Sequence, residues 1–146
     1  EKIISCDPDK IERIILNLLS NCVKFTKSGG VISVNIKDQN DRVLISVKDT
    51  GIGIPKEKID IIFDKFRQID KSTRREHEGS GIGLSLVKAL VGMHGGIIKV
   101  ESELGKGTEF IIELPAKIIE GKKYEKNIDK HYLMERINIE FSDIYM

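Results

Sequence analysis

The sequence predicts a two-layer α/β (α+β) sandwich, in which a mixed, mostly antiparallel sheet is covered on one face by about three helices. Apolar residues recur at helical spacing after Asp7, and two pairs of alternating segments lie at 31–49 and 97–114. Helical segments separate the two pairs. The resulting order of strand, helix, hairpin, helices and hairpin suits a sheet that carries its helices on a single face.

The composition argues against two function classes. The 146 residues suffice for one domain with its own core. The 24 basic and 23 acidic side chains leave a net charge of +1, which argues against a nucleic-acid binder held mainly by counterion release. Trp is absent and aromatic residues make up 5%, which argues against a base-stacking platform. Cys6 and Cys22 lack metal-ligand spacing and are interpreted as reduced thiols, with a single disulfide left open.

The first elements are a short strand and a long helix. A strand-like segment at 3–6 leads into Asp7 and Pro8, where Asp can cap a helix and Pro suits the first turn. Apolar residues keep helical spacing through 9–25, and a Ser-Gly-Gly segment at 28–30 ends the helix.

Two antiparallel hairpins are predicted from segments in which apolar and polar residues alternate. The first joins 31–37 to 42–49, and the second joins 97–103 to 108–114 around a glycine-containing turn. Alternation places the apolar side chains of each strand on one face, and those of 42–49 inward. In the first hairpin these are Ile32, Val34, Ile36, Val43, Ile45 and Val47.

Two further helices are predicted at 56–66 and 81–94, separated by a charged loop at 67–80. The core pattern then closes, so we place the domain at 1–116 and a C-terminal extension at 117–146. The extension is rich in Lys, Glu, Asn and Tyr, and it either adds an edge strand or docks loosely. The alternating residues that favour the strand are Ile137, Ile139 and Phe141.

A polar stripe runs along the first predicted helix. Asn17, Asn21 and Lys24 are spaced four and three residues apart, so they share one face of a largely apolar helix. A buried amide is destabilising unless it is paired, and amide oxygens are ligands that Mg²⁺ accepts. The stripe is therefore either the solvated face of an amphipathic helix or a place where amides bind a hard cation and the lysine faces phosphate.

Two glycine-rich segments follow. D-T-G-I-G-I-P at 49–55 leaves a strand, where the Asp can accept a hydrogen bond from an exocyclic amine and the glycines let the backbone approach a flat ring. G-S-G-I-G-L at 79–84 opens a helix, where backbone N–H groups and the helix dipole suit a polyphosphate. An ordinary strand-exit turn and a flexible hinge are the respective alternatives.

The order of these motifs resembles that of the ATP-binding domain of sensor histidine kinases, over residues 7–115. The resemblance implies the Bergerat-type ATP-binding fold, a left-handed-crossover α/β sandwich shared with gyrase, heat-shock chaperones and mismatch-repair ATPases. The segments that carry it are N-L-L-S-N-C-V-K-F-T at 17–26, V-K-D-T-G-I-G-I-P at 47–55, I-F-D-K-F-R-Q-I-D at 62–70, G-S-G-I-G-L-S-L-V-K at 79–88 and G-K-G-T at 105–108.

The resemblance also implies ATP and Mg²⁺ as cofactors, and a set of site residues. Asn21 would be the magnesium ligand, with Asn17 assisting. Lys24 and Arg75 would neutralise phosphate charge, and Asp49 would bind the adenine amine. The residues expected to contact ATP are Asn17, Asn21, Lys24, Phe25, Asp49, Gly51, Gly53, Ile54, Phe66, Ser80, Gly81, Ile82, Gly83, Leu84 and Thr108.

One position distinguishes the branches of this superfamily. Hydrolytic members have a Glu four residues before the magnesium-binding Asn, where the carboxylate can act as a general base. This chain has Asn17, which cannot take a proton, so we expect weak hydrolysis and transfer of the γ-phosphoryl group to a histidine imidazole. Glu78 stands where a Gly is common and leaves open a non-catalytic nucleotide-binding regulatory module. Cys22 replaces the usual Ala.

The acceptor histidine is expected on another domain. His77, His94 and His131 lack the H-E pattern of acceptor helices and are interpreted as structural or surface residues. The expected partners are an upstream dimerisation and phosphoacceptor domain and a downstream response regulator of two-component signal transduction, with no nucleic acid. We expect a monomeric fragment that is a cytoplasmic domain, in a parent protein that can be anchored in the cell membrane.

Overall fold

The computed structural model describes residues 4–64, 83–116 and 130–142. Both predicted hairpins and the long first helix are confirmed. In chain order the elements are α1 (Pro8–Phe25), β1 (Ile32–Asp38), β2 (Arg42–Asp49), α2 (Lys56–Ile59), α3 (Gly83–Met93), β3 (Ile97–Glu103), β4 (Gly107–Pro115) and α4 (Lys130–Glu140).

The strands form one sheet in the order β1-β2-β4-β3, and each neighbouring pair is antiparallel. A parallel pairing, which would make the sheet mixed, is not among the described strands. The central pairing of β2 with β4 joins the two hairpins and sets Asp49 opposite Thr108. The end of β2 therefore lies beside the start of β4, and two polar side chains meet at this end of the two central strands.

The helices lie on one face of the sheet, as predicted. α1 buries Ile14, Leu18 and Cys22, which are four residues apart and so share one side of the helix. α3 packs against α1 and adds its own buried residues to the same core. The side chains with almost no exposed surface are Ile14, Leu18, Cys22, Val47, Val87, Val91 and Ile112.

The apolar face of β1 is less buried than its alternation suggests. Val34 and Ile36 lie opposite the core residues Val47 and Ile45, so they share the helix-covered face of the sheet. They are nevertheless 46% and 66% exposed. β1 is the edge strand of the described sheet, and the buried core lies over β2 and β4.

The beginning of α1 is tied to the end of α3. Asp7 caps the helix by accepting a hydrogen bond from the Lys10 N–H at 3.2 Å, as the sequence predicts. The Asp7 N–H donates to His94 Nε2 at 3.1 Å, and His94 Nδ1 lies 2.8 Å from the Leu90 carbonyl oxygen. The ring therefore carries its proton on Nδ1 and accepts through Nε2. The structural interpretation of His94 is confirmed.

Two predicted elements are shorter than expected. Of the described part of the predicted strand, 4–6, Ile4 forms a bridge, while Ser5 and Cys6 lie outside any strand. The helix at 56–66 ends after Ile59, because the following N–H groups bond three residues back, from Ile61 to Lys58 and from Asp64 to Ile61. Its apolar side still packs inward, since Ile62 and Phe63 contact the core.

The C-terminal extension contains a helix, so the edge-strand alternative is wrong for 130–140. Ile137 and Phe141 are partly buried and lie four residues apart, on one side of a helix, whereas Ile139 is 68% exposed. Every second residue from 137 to 141 is apolar, and this alternation includes the pair at 137 and 141 that also shares one side of a helix. The alternation therefore fits a helix as well as a strand. Arg136 docks α4 on α1, with Nε 3.2 Å from Glu12 Oε1. The domain boundary at 116 remains a prediction.

No helix within the described ranges is both long enough and apolar enough to cross a membrane.

Candidate nucleotide site

The centre of the candidate site is Asp49, the last residue of β2. Its side chain is buried, with 4% of the residue exposed. The carboxylate oxygen Oδ1 accepts a hydrogen bond from the Gly51 N–H at 2.8 Å, which folds the chain sharply as it leaves the strand. An ionised carboxylate can only accept hydrogen bonds, so this buried group is suited to a ligand that presents a donor.

Cys22 lies beside this carboxylate. The thiol is 1% exposed and forms a side-chain hydrogen bond with Asp49. Burial, with the neighbouring negative charge of Asp49, raises the pKa of the Cys22 thiol to about 12. The thiol is therefore neutral at ordinary pH and donates its proton to the carboxylate. The sequence marked Cys22 as a replacement of Ala, but not as a partner of Asp49.

The glycines of the 49–55 segment allow close packing, although their nearest neighbours are protein backbone. A Cβ at Gly51 would overlap the carbonyl oxygen of Phe25, which accepts a hydrogen bond from the Ile52 N–H at 3.1 Å. A Cβ at Gly53 would overlap the carbonyl oxygen of Glu103. Gly53 also has a φ of +71°, which glycine adopts without strain. The segment is thus clamped between the end of α1 and the β3–β4 turn.

Thr108 lies across the sheet from Asp49 and is 7% exposed. Its hydroxyl lies 2.9 Å from Ser102 Oγ, on β3. Ser102 Oγ also accepts a hydrogen bond from the Ile54 N–H at 2.7 Å. The residues Asp49, Ile54 and Thr108, which the sequence predicts as ATP contacts, are therefore brought together. Ser102 was not predicted, although Ser102 and Thr108 face each other in the predicted hairpin.

The asparagine stripe of α1 faces the start of α3. A Cβ at Gly83 would press against Asn17 Oδ1, so this amide lies against the first turn of the helix. Asn21 is half-buried, and its side-chain amide makes no hydrogen bond with any described residue. An amide oxygen left available in this way fits a hard cation that prefers oxygen ligands. Lys24 and Phe25 complete the last turn of α1, and both are partly buried.

Part of the predicted site lies outside the described residues. This applies to Arg75 and Glu78 in the charged loop at 67–80, and to the residues of the 79–84 segment before Gly83. Among the described residues there is no group of three or more His, Cys, Asp or Glu side chains that could hold a metal ion. The predicted contacts outside the described ranges are Phe66, Arg75, Ser80, Gly81 and Ile82.

An open groove of about 350 Å³ lies beside the candidate site. It shares Gly51 with the predicted contacts, and its described lining includes no other predicted contact that the structure describes. We place the site on the Asp49 side of the segment, because that side holds the buried acceptor groups. The groove is lined by Lys27, Ser28, Gly30, Thr50, Gly51, Ile52 and Gly105.

Residues 6–118 match the protein family described as histidine kinase-, DNA gyrase B- and HSP90-like ATPase. The chain belongs to this family. The match spans α1, the whole described sheet and the segments that form the candidate site. It covers most of the 146 residues and agrees with the resemblance that the motifs carry.

Two curated proteins, a histidine kinase and a sensor protein, are similar to the chain. The circadian input-output histidine kinase CikA of Synechococcus elongatus is 41% identical over 128 residues, which are 87% of this chain and 17% of CikA. The sensor protein SrrB of Staphylococcus aureus is 38% identical over 115 residues, which are 79% of this chain and 20% of SrrB. The chain thus spans about a fifth of the length of these relatives.

Solved structures of sensor histidine kinases have the same fold. The mycobacterial sensor histidine kinase MprB superposes with a TM-score of 0.70 at 29% identity, over 80% of this chain and 78% of that chain. Full-length ShkA, in complex with AMPPNP, superposes with a TM-score of 0.71 at 34% identity, over 83% of this chain and 24% of ShkA. The chain is an ATP-binding domain of the sensor histidine kinase type, and the predicted Bergerat-type fold is confirmed.

Proposed function

We propose that this domain binds Mg-ATP and donates the γ-phosphoryl group to a histidine on a separate dimerisation and phosphoacceptor domain. The observation that carries the proposal is the buried Asp49 carboxylate, which lies opposite Thr108 where β2 ends and β4 begins. Burying an ionised group is unfavourable unless it has hydrogen-bond partners. The adenine amine would be such a partner, in addition to the Gly51 N–H and the Cys22 thiol.

The phosphate end of ATP would lie toward α1 and the start of α3. Asn21 would ligate Mg²⁺ with Asn17 nearby, and Lys24 would neutralise phosphate charge. When bound, the metal would neutralise charge on the phosphate oxygens. Gly83 and Leu84 would offer backbone donors at the start of α3, because the first N–H groups of a helix have no partner within it. Arg75, in the charged loop at 67–80, would neutralise further phosphate charge.

The proposed reaction is transfer and not hydrolysis. Asn17 lies against Gly83, at the position where hydrolytic members of the superfamily have a general base. A residue at this position would have to be a carboxylate to activate water. An amide cannot take that proton. A neutral histidine imidazole is already a nucleophile, so positioning and charge neutralisation suffice for transfer to it.

The partners follow from the same proposal. Within the described residues, His94 is held by two structural hydrogen bonds, and His131 lies exposed on α4. His77 lies outside the described residues. Because none of the three histidines has the H-E pattern of acceptor helices, the acceptor would be supplied by an upstream domain of the parent protein, and a response regulator would receive the phosphoryl group. Such a parent protein can be anchored in the cell membrane with this domain in the cytoplasm.

The direct test is transfer from radiolabelled ATP to a supplied dimerisation and phosphoacceptor domain. We expect Mg²⁺-dependent labelling of the acceptor that is stable to base and labile to acid, as a phosphohistidine is. ATP binding without labelling of any supplied acceptor would contradict the proposed transfer and favour a regulatory nucleotide-binding module.

The same assay tests the role of Asn17. Asn17→Glu places a carboxylate beside Gly83 and should raise phosphate release by this domain alone, because a general base contributes on the order of 100-fold or more to rate. Arg13→Glu is the matched control, since it adds a carboxylate at an exposed position one turn earlier on α1. Unchanged hydrolysis in Asn17→Glu would remove the support for transfer over hydrolysis.

A further inference from the structure

The Ser102 hydroxyl is shared among three groups near the candidate site. Its oxygen accepts a hydrogen bond from the Ile54 N–H at 2.7 Å and donates to the Gly107 carbonyl oxygen at 2.9 Å. It also lies 2.9 Å from Thr108 Oγ1. These distances are all within the range of good hydrogen bonds.

Counting protons fixes the direction of the bond between the two hydroxyls. A serine hydroxyl has one proton to donate and two lone pairs that accept. The Gly107 carbonyl can only accept, so it takes the Ser102 proton, and the Ile54 N–H can only donate, so it uses one lone pair. The third bond forms only if Thr108 donates to the second lone pair. With the opposite direction, the bond to Gly107 is lost.

The Thr108 hydroxyl is then left with lone pairs alone. Ser102, Thr108 and Asp49 lie directly opposite one another on β3, β4 and β2, so their side chains share one face of the sheet. Thr108 and Asp49 are both buried. Asp49 and Thr108 therefore present two neighbouring hydrogen-bond acceptors to a ligand that binds there. The Thr108 proton is directed at Ser102 and away from the ligand.

We propose that Ser102 is a positioning residue that sets the purine specificity of the site by holding the Thr108 hydroxyl as an acceptor. This inference rests on the proposed nucleotide binding. A purine with a 6-amino group offers N–H donors to the two acceptors, directly or through a water. A purine with a 6-oxo group offers an acceptor at this position and a single donor on N1, so at least one of the two buried acceptors stays unpaired and binding is disfavoured.

The test compares the affinities of ATP and inosine triphosphate, which has an oxygen in place of the 6-amino group and a proton on N1. We expect Ser102→Ala to reduce the preference for ATP by about 2- to 10-fold, the equivalent of one hydrogen bond. Ser102→Thr keeps a hydroxyl and should restore the preference. Ser33→Ala is the matched control, because Ser33 lies exposed on β1.

Thr108→Val separates a specific role from a general loss of structure. If Ser102 acts through Thr108, Thr108→Val should reduce the preference, and adding Ser102→Ala to it should reduce the preference no further. Additive effects, or a Ser102→Ala variant with the full preference for ATP, would overturn the proposal. Melting temperatures identify any variant that fails to fold.

A measurement without nucleotide distinguishes this proposal from the proposed function. In NMR spectra of the free domain, the Thr108 hydroxyl proton should exchange slowly and show a nuclear Overhauser effect to the Ser102 β protons, and both signatures should vanish in Ser102→Ala. A Ser102 hydroxyl proton directed at Thr108 would overturn the inference even if ATP binds. An intact domain that binds neither nucleotide would contradict the proposed function instead.

Discussion

At the scale of single residues, the site depends on a buried carboxylate whose neighbours are donors. The Gly51 N–H and the Cys22 thiol both direct protons at Asp49. The sequence predicted Asp49 and the glycine segment, because a strand followed by D-x-G-x-G is a local pattern. It could not predict the contact with Cys22, since the two residues are 27 positions apart and meet only when α1 packs on β2.

The raised pKa of Cys22 predicts low thiol reactivity. Partial burial and the charge of Asp7 also raise the pKa of Cys6, but Cys6 is exposed, so it should react with Ellman's reagent in the folded domain. Cys22 should react only on unfolding, because a thiol must be accessible and must deprotonate to attack. In Cys6→Ala no rapid reaction should remain. Rapid reaction of a thiol in that variant would contradict the burial of Cys22.

The same pKa predicts how stability depends on pH. The Cys22 thiol has a pKa of about 12 when folded, against a usual value of 9.0. Above about pH 9 the unfolded chain loses this proton while the folded domain keeps it, so stability falls as pH rises toward 12. In Cys22→Ala this loss should be absent. Urea unfolding at pH 8 and pH 10.5 measures this loss of stability. Equal losses in the intact domain and in Cys22→Ala would contradict the raised pKa of Cys22.

At the scale of elements, periodicity predicted what is local and missed what depends on neighbours. The hairpins were predicted correctly because alternation and turn residues agree in 31–49 and 97–114. The sequence left the extension open between an edge strand and a loosely docked segment, because Ile137 and Phe141 fit a strand and a helix equally well, and the strand alternative is wrong for 130–140. The glycines of the 49–55 segment also approach the backbone of Phe25 and Glu103, which are distant in sequence, whereas their approach to a ring stays a prediction.

The packing of Gly53 gives a prediction with a built-in control. Gly53→Ala should destabilise the domain by several kcal/mol, since its Cβ would overlap the Glu103 carbonyl as well as strain the backbone. Gly29 also has a positive φ, of +86°, but open space around it, so Gly29→Ala should cost about 1–2 kcal/mol. Urea denaturation compares them. Equal losses of stability in the two variants would mean that a Cβ at Gly53 does not overlap the Glu103 carbonyl.

At the scale of the whole molecule, α4 packs against α1, and Arg136 supplies ion pairs across this contact. Arg136 pairs with Glu12 and also approaches Asp9, with Nη1 3.7 Å from Asp9 Oδ1. These pairs are partly exposed, so each contributes at most about 1 kcal/mol. None of the residues in the described core cluster comes from α4, so we expect the sandwich to keep its fold when these ion pairs are lost.

Loss of Arg136 should release α4 without unfolding the domain. In Arg136→Gln, amide hydrogens of α4 should exchange faster, while the melting temperature changes by only a few degrees. Glu135→Gln is the control, because Glu135 is exposed on the same helix and makes no ion pair with a described residue. A cooperative loss of the whole fold in Arg136→Gln would show that α4 is an integral part of the core.

The measurement that tests the central claim most directly is calorimetric titration of Mg-ATP into the intact domain, Asp49→Asn and Asp60→Asn. Asp60 is exposed beyond α2 and serves as the matched control. We predict saturable, magnesium-dependent binding to the intact and control proteins, weakened by about 10- to 100-fold in Asp49→Asn through loss of a charged acceptor. No binding to the intact domain, or equal binding by all three, would contradict the assignment of Asp49 as the adenine anchor.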